Sequence, residues 1–320
     1  MDATDGTTAP TLADYARHSA YSDPGRHAGL LRAVDPTPAA TGAAACATIV
    51  HYRAKGADLT DAQRADIDQR WLETILDTAV ARRPGPLDAP RDVPQQVAGC
   101  CRDHTLFSVG VLRSHGVPAR SRIGFAAYFE PPFFHDHVVV EHWADDGAGG
   151  GRWVRWDPEL PDDGSWGFDV RDMPTGPGSP FPTAAEVWRA IRAGEVDPAA
   201  YGVAPDQPEL CGQDFVRGYV LLELAHRMRD EVLLWDQWGA TPEPETAPES
   251  ASRELDALAD EVAALLVAAD AGDAAAEAAL AERYAGRWAA RGEVTTFSPT
   301  GRVGITDLSA RTTRWEAAPA

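Results

Sequence analysis

Two cysteines stand side by side in QQVAGCCRDHTLFSVGVLRSHGVPAR, at Cys100 and Cys101, just before a run that reads as a helix. A thiolate is the nucleophilic form of cysteine, so a reactive site must favour the charge. A helix N-terminus does this with its partial positive charge and open N–H groups. Cys101 falls where this helix begins, and Cys100 lies one residue earlier, about 100° around a helical turn. Thr105 and Ser108, at +4 and +7, keep the face beside Cys101 small, so another element can approach the sulfur. A single cysteine on an apolar run is more often core packing. Residues downstream change that reading. A cysteine nucleophile needs a base, usually His, and the base needs an orienting group. In HDHVVVEHW, His135, His137, Val139, Glu141 and Trp143 share one strand face, while Asp136, Val138, Val140 and His142 share the other. In RWVRWD, Trp153, Arg155 and Asp157 share a face, so a hairpin of the two strands would set Asp157 beside His137.

A helix and a set of strands must hold these groups. TDAQRADIDQRWLETILDTAVA reads as one helix, with a capping box at Thr60 and Gln63 and apolar residues from Ile67 to Ala79 at helical spacing. RRPGPLDAPRDVP ends it in a loop. The helix from Cys101 stops at Gly116, with Pro118 beyond. Three strands follow, ARSRIGFAAYF, DHVVVEHW and RWVRWD, punctuated by Pro131–Pro132, ADDGAGGG and Pro158. A helix leading into antiparallel strands is an α+β order. Beyond a Gly/Pro/Asp-rich loop at 161–182, Thr183 and Glu186 cap another helix, and QDFVRGYVLLELAHRMRDEVLLWDQWG reads as a long buried helix over 213–235. ATPEPETAPES is a linker, two Ala-rich amphipathic helices follow at about 252–269 and 273–290, and the last 28 residues are weakly patterned.

The motif set resembles the transglutaminase-like superfamily. That pattern has Gly, one residue, then Cys, on a helix ending in Arg-x-x-Gly-[Ile/Val]-Pro-Ala-Arg. Here Gly99, Cys101, Arg113, Gly116, Pro118 and Arg120 stand in step, His137 is followed four residues later by Glu141, and Asp157 precedes Pro158. The resemblance implies a papain/transglutaminase-like α+β core, with the Cys on a helix N-terminus packed on an antiparallel sheet carrying His and Asp, and extra helices at both ends. With the pattern along the chain, the expected organisation is a catalytic domain over 1–240 (motif core 95–160, site-completing helical extension 161–240), a Pro/Glu-rich linker at 241–252 and a helical C-terminal appendage at 253–320. The resemblance also implies acyl transfer. Cys101 would attack an amide or thioester, His137 would act as base and then acid, and Asp157 would hold the imidazole. The oxyanion would be met by the Cys101 N–H and a second donor, with Gln95 and Gln96 as the upstream candidates. Trp71 is expected in the core and not as that donor. Thr105, Glu141 and Trp156 are expected to support the site. Many members carry an aromatic residue two after the His, where this chain has Val139.

Three other readings compete, one of them a binding protein that keeps the triad only as a vestige, against which the intact Cys, His and Asp set argues. The same triad with water as acceptor is an amidase or peptidase. His135-x-His137-x-x-x-Glu141 has the spacing of a cupin metal motif and suits Fe, Mn or Zn, but its glycines are out of register and no second motif follows. The favoured reading needs neither metal nor cofactor, and its partners are a small-molecule or peptide acyl donor and an amine acceptor. With 49 acidic and 29 basic residues the net charge is −20, which disfavours nucleic acid and anionic membranes. No apolar run approaches the ~18 residues of a membrane span. The N-terminus has no basic flank or apolar stretch of a secretory leader, so the expected compartment is the cytoplasm. Four cysteines (46, 100, 101 and 211) make no disulfide framework. Lys55 is the only lysine, leaving almost no side-chain amine for self-crosslinking. Nothing in the sequence states an oligomeric number.

Overall fold

A computed structural model describes residues 8–54, 58–239, 249–285 and 288–316. Chain contacts separate two compact units: Thr11–Arg122 with His137–Pro180, and Met1–Pro10 with Ile123–Asp136 and Phe181–Ala320. The division cuts the third strand after Arg122 and the fourth after Asp136.

The first unit holds α1 (Leu12–Tyr15), α2 (Ala28–Arg32), α3 (Pro38–Thr48), β1 (Ile49–His51), α4 (Asp61–Arg64), α5 (Leu72–Arg82), β2 (Val97–Gly99) and α6 (Cys101–Ser114). It also carries parts of β3 (Ala119–Glu130) and β4 (Phe133–Asp145), and all of β5 (Gly151–Trp156). β1 and β2 form a parallel pair with His51 opposite Gly99. The larger sheet runs β3-β4-β5, with β4 and β5 antiparallel and Val140 opposite Trp156. α6 is buried from Cys101 through Arg113. Its Val109 and Leu112 join Ala119, Val140 and Trp156 in one cluster, which binds helix to sheet. Each large apolar side chain so buried contributes about 1.5–3 kcal/mol.

Both ends of α6 follow from local chemistry. The Asp103 carboxylate accepts the Cys100 N–H at 2.8 Å and closes the N-terminus. Gly116, at φ +74°, takes the left-handed position that ends many helices and suits glycine.

The single helix expected from Thr60 to Ala79 is broken in two. The Thr60–Gln63 capping box forms, but the Gln63 amide donates to the Val93 and Gln96 carbonyls. Asp66 is ion-paired to Arg82 and accepts the Ala98 N–H. The chain leaves the helix to bring these groups to β2, and re-enters at Leu72, whose N–H donates to Tyr21. Tertiary hydrogen bonds override the periodicity.

The second unit holds the remainder of β3 and β4, then α7 (Ala184–Arg192), β6 (Tyr201–Gly202), α8 (Gln213–Arg227), β7 (Asp236–Gln237), α9 (Glu249–Asp270), α10 (Ala274–Tyr284), β8 (Glu293–Phe297), β9 (Val303–Asp307) and β10 (Thr312–Trp315). α7 to α10 pack around Trp188, Val220, Leu224, Val262, Leu266 and Leu280, all buried. The Trp188 indole N–H donates to Asp260 at 2.9 Å. The helix expected over 213–235 stops at Arg227, because Arg229 takes φ +70° and the chain folds back so that the Asp230 N–H donates to Ala225. The appendage expected to be helical over 253–320 is helical only in α9 and α10. Residues 293–315 form an antiparallel meander, β8-β9-β10, with β7 on its edge. These strands are short and rich in Thr and Val, which suits a pleated surface more than a helix. The linker expected at 241–252 lies, through residue 248, outside the described residues. Among the described residues no helix is long and apolar enough to cross a membrane.

Candidate active site

The site is built within the first unit, where β2 turns into α6. Gly99 is required there by close approach. A Cβ on it would sit 2.7 Å from Asp103 Oδ2 and 2.9 Å from Asp103 Cβ. Asp103 needs that space to cap the helix, so the glycine two residues before the cysteine is a condition for placing Cys101 at the first helical position. Arg102 is fully buried beside Asp103, donating to its Oδ1 at 2.9 Å and to the Arg70 carbonyl at 2.7 Å. Thr105 Oγ1 donates to the Val138 carbonyl at 2.9 Å, which pins α6 to β4 one residue past His137.

Cys100 and Cys101 are both buried. The hydrogen bond from its neighbour Cys101 would lower the Cys100 pKa. Burial and the Asp103 carboxylate outweigh it, and the net shift is upward. Cys100 is thereby held as a thiol.

His137 is buried on β4, and its Nε2 lies 2.7 Å from Oδ2 of Asp157, which is wholly buried. The β4–β5 register puts Asp157 one step past the Val140–Trp156 pair. The second Asp157 oxygen accepts the Glu159 N–H at 2.9 Å. With Nε2–H donating to the carboxylate, Nδ1 is the nitrogen that can take a proton.

Glu159 is the residue that sequence reasoning missed. One of its carboxylate oxygens lies within 4.8 Å of both Cys101 Sγ and a ring nitrogen of His51; the carboxylate is equally near His137 and Asp157. Cys101, His137 and Asp157 are thus gathered around one further acid. Oε1 of Glu159 is buried with no hydrogen-bond partner, and Oε2 is 3.7 Å from His104 Nδ1. The signal in the sequence is Asp-Pro-Glu: the proline turn brings the second acid back beside the first. His51, at the end of β1, was also missed. His104 contacts the Cys100 and Ile49 carbonyls at 3.0 and 3.1 Å and ties β1 to the start of α6.

These side chains form two donor sets that suit a divalent metal, His51–Cys101–Glu159 and His137–Asp157–Glu159. In the second, a metal on Nε2 would have to displace the His137–Asp157 hydrogen bond.

Several expected residues have other work. The Gln96 amide donates to the Cys46 and Ala47 carbonyls at 2.7 and 3.3 Å. Gln95 folds onto its own turn, accepting the Asp92 N–H at 3.2 Å. The Gln96 amide is therefore spent on the loop ahead of β2 and not on an oxyanion, while the Gln95 side-chain oxygen is tied to its own turn. Trp71 is buried in the core, and so is Trp156, whose indole N–H donates to His142 Nδ1 at 3.1 Å. Trp156 therefore supports β5 from the opposite strand face and does not line the site. Glu141 is bound by Arg120 at 2.8 Å and Arg155 at 2.9 Å. That removes it as a metal ligand, and His135 Nδ1 pairs with the Val203 carbonyl at 2.9 Å. The cupin-like set His135, His137 and Glu141 does not assemble.

Among solved structures the chain is similar to that of a candidate cysteine protease from Cytophaga hutchinsonii, at 17% identity and a TM-score of 0.29. The match covers 46% of this chain and 42% of that one, so less than half of that relative's length is spanned. No curated protein matches the chain. Residues 41–158 match the family model of the transglutaminase-like superfamily. This interval contains Cys101, His137 and Asp157 and stops one residue short of Glu159. Over residues 41–158 the α+β unit built around α6 is similar to the core of that superfamily, and the similarity supports a cysteine-based enzyme.

Proposed function

We propose that the protein is a cysteine acyltransferase that passes an acyl group from an amide or thioester to a small amine through a Cys101 thioester. The observation that carries this is the 2.7 Å bond from His137 to a fully buried Asp157, gathered with Cys101 around Glu159. The Cys101 proton goes to His137 Nδ1 as the sulfur adds to the acyl carbon. Asp157 stabilises the imidazolium that results. Collapse breaks the bond to the leaving amine or thiol, which takes the proton from His137. An incoming amine then adds to the thioester carbon, gives its proton to His137, and expels the Cys101 thiolate.

Glu159 supports an amine over water as the acceptor. A buried carboxylate oxygen without a partner is costly, and an ammonium group would satisfy it next to the sulfur. Glu159 takes one ammonium proton, and the neutral amine so formed beside the sulfur is the nucleophile; the proton it loses after addition goes to His137. Hydrolysis by the same triad is the other outcome of the test. Purified protein is mixed with an activated small thioester, with and without a primary amine, and followed by intact mass. A Cys101 adduct released faster by the amine than by water supports transfer. Release at the same rate in both identifies a hydrolase, and no adduct refutes the cysteine mechanism. The single lysine and the −20 charge fit a dedicated small acceptor. Strong Cys101-dependent labelling of casein with a fluorescent amine would instead show a general crosslinker.

A further inference from the structure

The reaction above needs two donors for the developing oxyanion, and of the glutamines expected for the second, Gln96 has its amide engaged elsewhere and Gln95 has its side-chain oxygen tied to its own turn. His51 meets the requirement. It ends β1, paired with Gly99, two residues before the nucleophile. Its Nδ1 accepts the Arg53 backbone N–H at 3.1 Å. A neutral imidazole whose Nδ1 accepts must carry its proton on Nε2. Burial holds the His51 pKa below the usual histidine value, against a smaller opposing pull from Glu159. Nε2 makes no hydrogen bond with any described residue. The ring lies nearly parallel to those of Tyr52, at 14° and 5.3 Å between centroids, and His104, at 19° and 6.4 Å. These contacts fix its plane. One ring nitrogen is within 4.8 Å of Cys101 Sγ, the range in which a donor can reach an oxygen on the carbon that the sulfur attacks.

We propose that His51 is the second oxyanion donor: its Nε2–H, together with the Cys101 backbone N–H, receives the carbonyl oxygen as the tetrahedral intermediate forms. As the sulfur–carbon bond forms, the C=O π pair moves onto oxygen. As the intermediate collapses, that pair re-forms the carbonyl and expels the leaving group. The ring donates a hydrogen bond throughout and gives up no proton. A neutral donor suits this task, since it keeps its proton and recovers its geometry in each turnover. The assignment rests on the acyl-transfer reading.

The test uses His51→Phe and His51→Gln in the full chain. Acylation by an activated thioester is measured beside alkylation of Cys101 by iodoacetamide, with circular dichroism to confirm folding. Alkylation is a displacement that forms no oxyanion. His51→Phe should lower kcat for acylation by about 10²–10³-fold, with KM and the alkylation rate within about threefold of wild type. His51→Gln keeps an N–H donor and should recover at least about tenfold of that loss. Acylation by His51→Phe within threefold of wild type would overturn the assignment alone. Parallel loss of acylation and alkylation would also overturn it, placing His51 on the sulfur instead. Wild-type protein that forms no acyl-enzyme overturns the acyl-transfer reading and the assignment with it.

Discussion

Two buried acids in the first unit have opposite surroundings. Glu141 and His137 share one face of β4, four residues apart, yet Glu141 is surrounded by guanidinium groups. Arg120 and Arg155 bond its two oxygens, Arg122 approaches to 3.8 Å, and Arg120 stacks 4.1 Å over Trp153. Glu159 has a distant imidazole at 3.7 Å and one buried oxygen with no partner. The first arrangement is complete and leaves no vacancy for a ligand. The second is incomplete beside a thiol, an imidazole and a carboxylate, and a cationic ligand would complete it. Saturated charge fixes the strands in place, and unsaturated charge is what remains for chemistry.

The largest expected effects lie at the incomplete cluster. Cys101→Ala should abolish acyl-enzyme formation by intact mass, while Cys100→Ala, removing a thiol held protonated, should keep most of it. Equal loss in two folded variants would leave Cys101 without its assigned role. His137→Ala should lower kcat/KM by about 10³-fold with folding intact, within the range for a lost general base. Full activity in that variant would end the comparison.

At the complete cluster the effect should be on stability. Glu141→Gln leaves buried guanidinium groups uncompensated and should lower the unfolding free energy by about 3–5 kcal/mol, read from urea denaturation. Catalytic constants of the remaining folded protein should stay near wild type. A large loss of kcat without a loss of stability would show that Glu141 belongs to the chemistry.

Asp230, in the second unit, is an intermediate case. It accepts the Tyr284 hydroxyl at 2.7 Å, yet burial, the dominant cause, raises its pKa to about 6. A carboxyl raised above its ordinary value stabilises the fold when protonated. That contribution is complete below about pH 4 and is lost as pH rises through about 6. Asp230→Asn should therefore gain on wild type between pH 4.5 and pH 7.5 by on the order of 2 kcal/mol, and parallel pH profiles would exclude the group. The smallest effect is expected for Glu159→Gln. The ratio of aminolysis to hydrolysis of the acyl-enzyme should fall about tenfold, about 1.4 kcal/mol, the scale of one hydrogen bond to a charged group. An unchanged ratio would separate Glu159 from acceptor binding.

Much of this was legible in the chain because it depends on short range. Gly99, Cys101, Arg113 and Gly116 are spaced by one helix, and the cap at Asp103 and the left-handed turn at Gly116 are local events. The alternation of β4 and β5, broken by ADDGAGGG, is enough to expect Asp157 beside His137. Residues 60–79 were misread because a period of 3.6 cannot report that Asp66 is needed at β2 and Arg82. The 213–235 helix ended early for a similar reason: a positive φ at Arg229, a non-glycine residue, has no sequence signature. The final strands carry β-branched residues, but too few for periodicity to outweigh the helices before them.

By itself, then, the sequence determined the helix that starts at Cys101, the strand faces that carry His137 and Asp157, and the superfamily those motifs resemble, because each follows from neighbours within a turn, a strand or a hairpin. Only the tertiary structure decided which polar groups are already satisfied. Gln96 lost its oxyanion role to two carbonyls about fifty positions earlier in the chain, and Glu141 became scaffold through Arg120 and Arg155. Glu159 and His51 entered the site through a proline turn and a parallel strand pair. A side chain's chemistry depends on the hydrogen bonds and charges left to it after folding, and those partners are set by contacts between distant segments, which spacing along the chain does not encode.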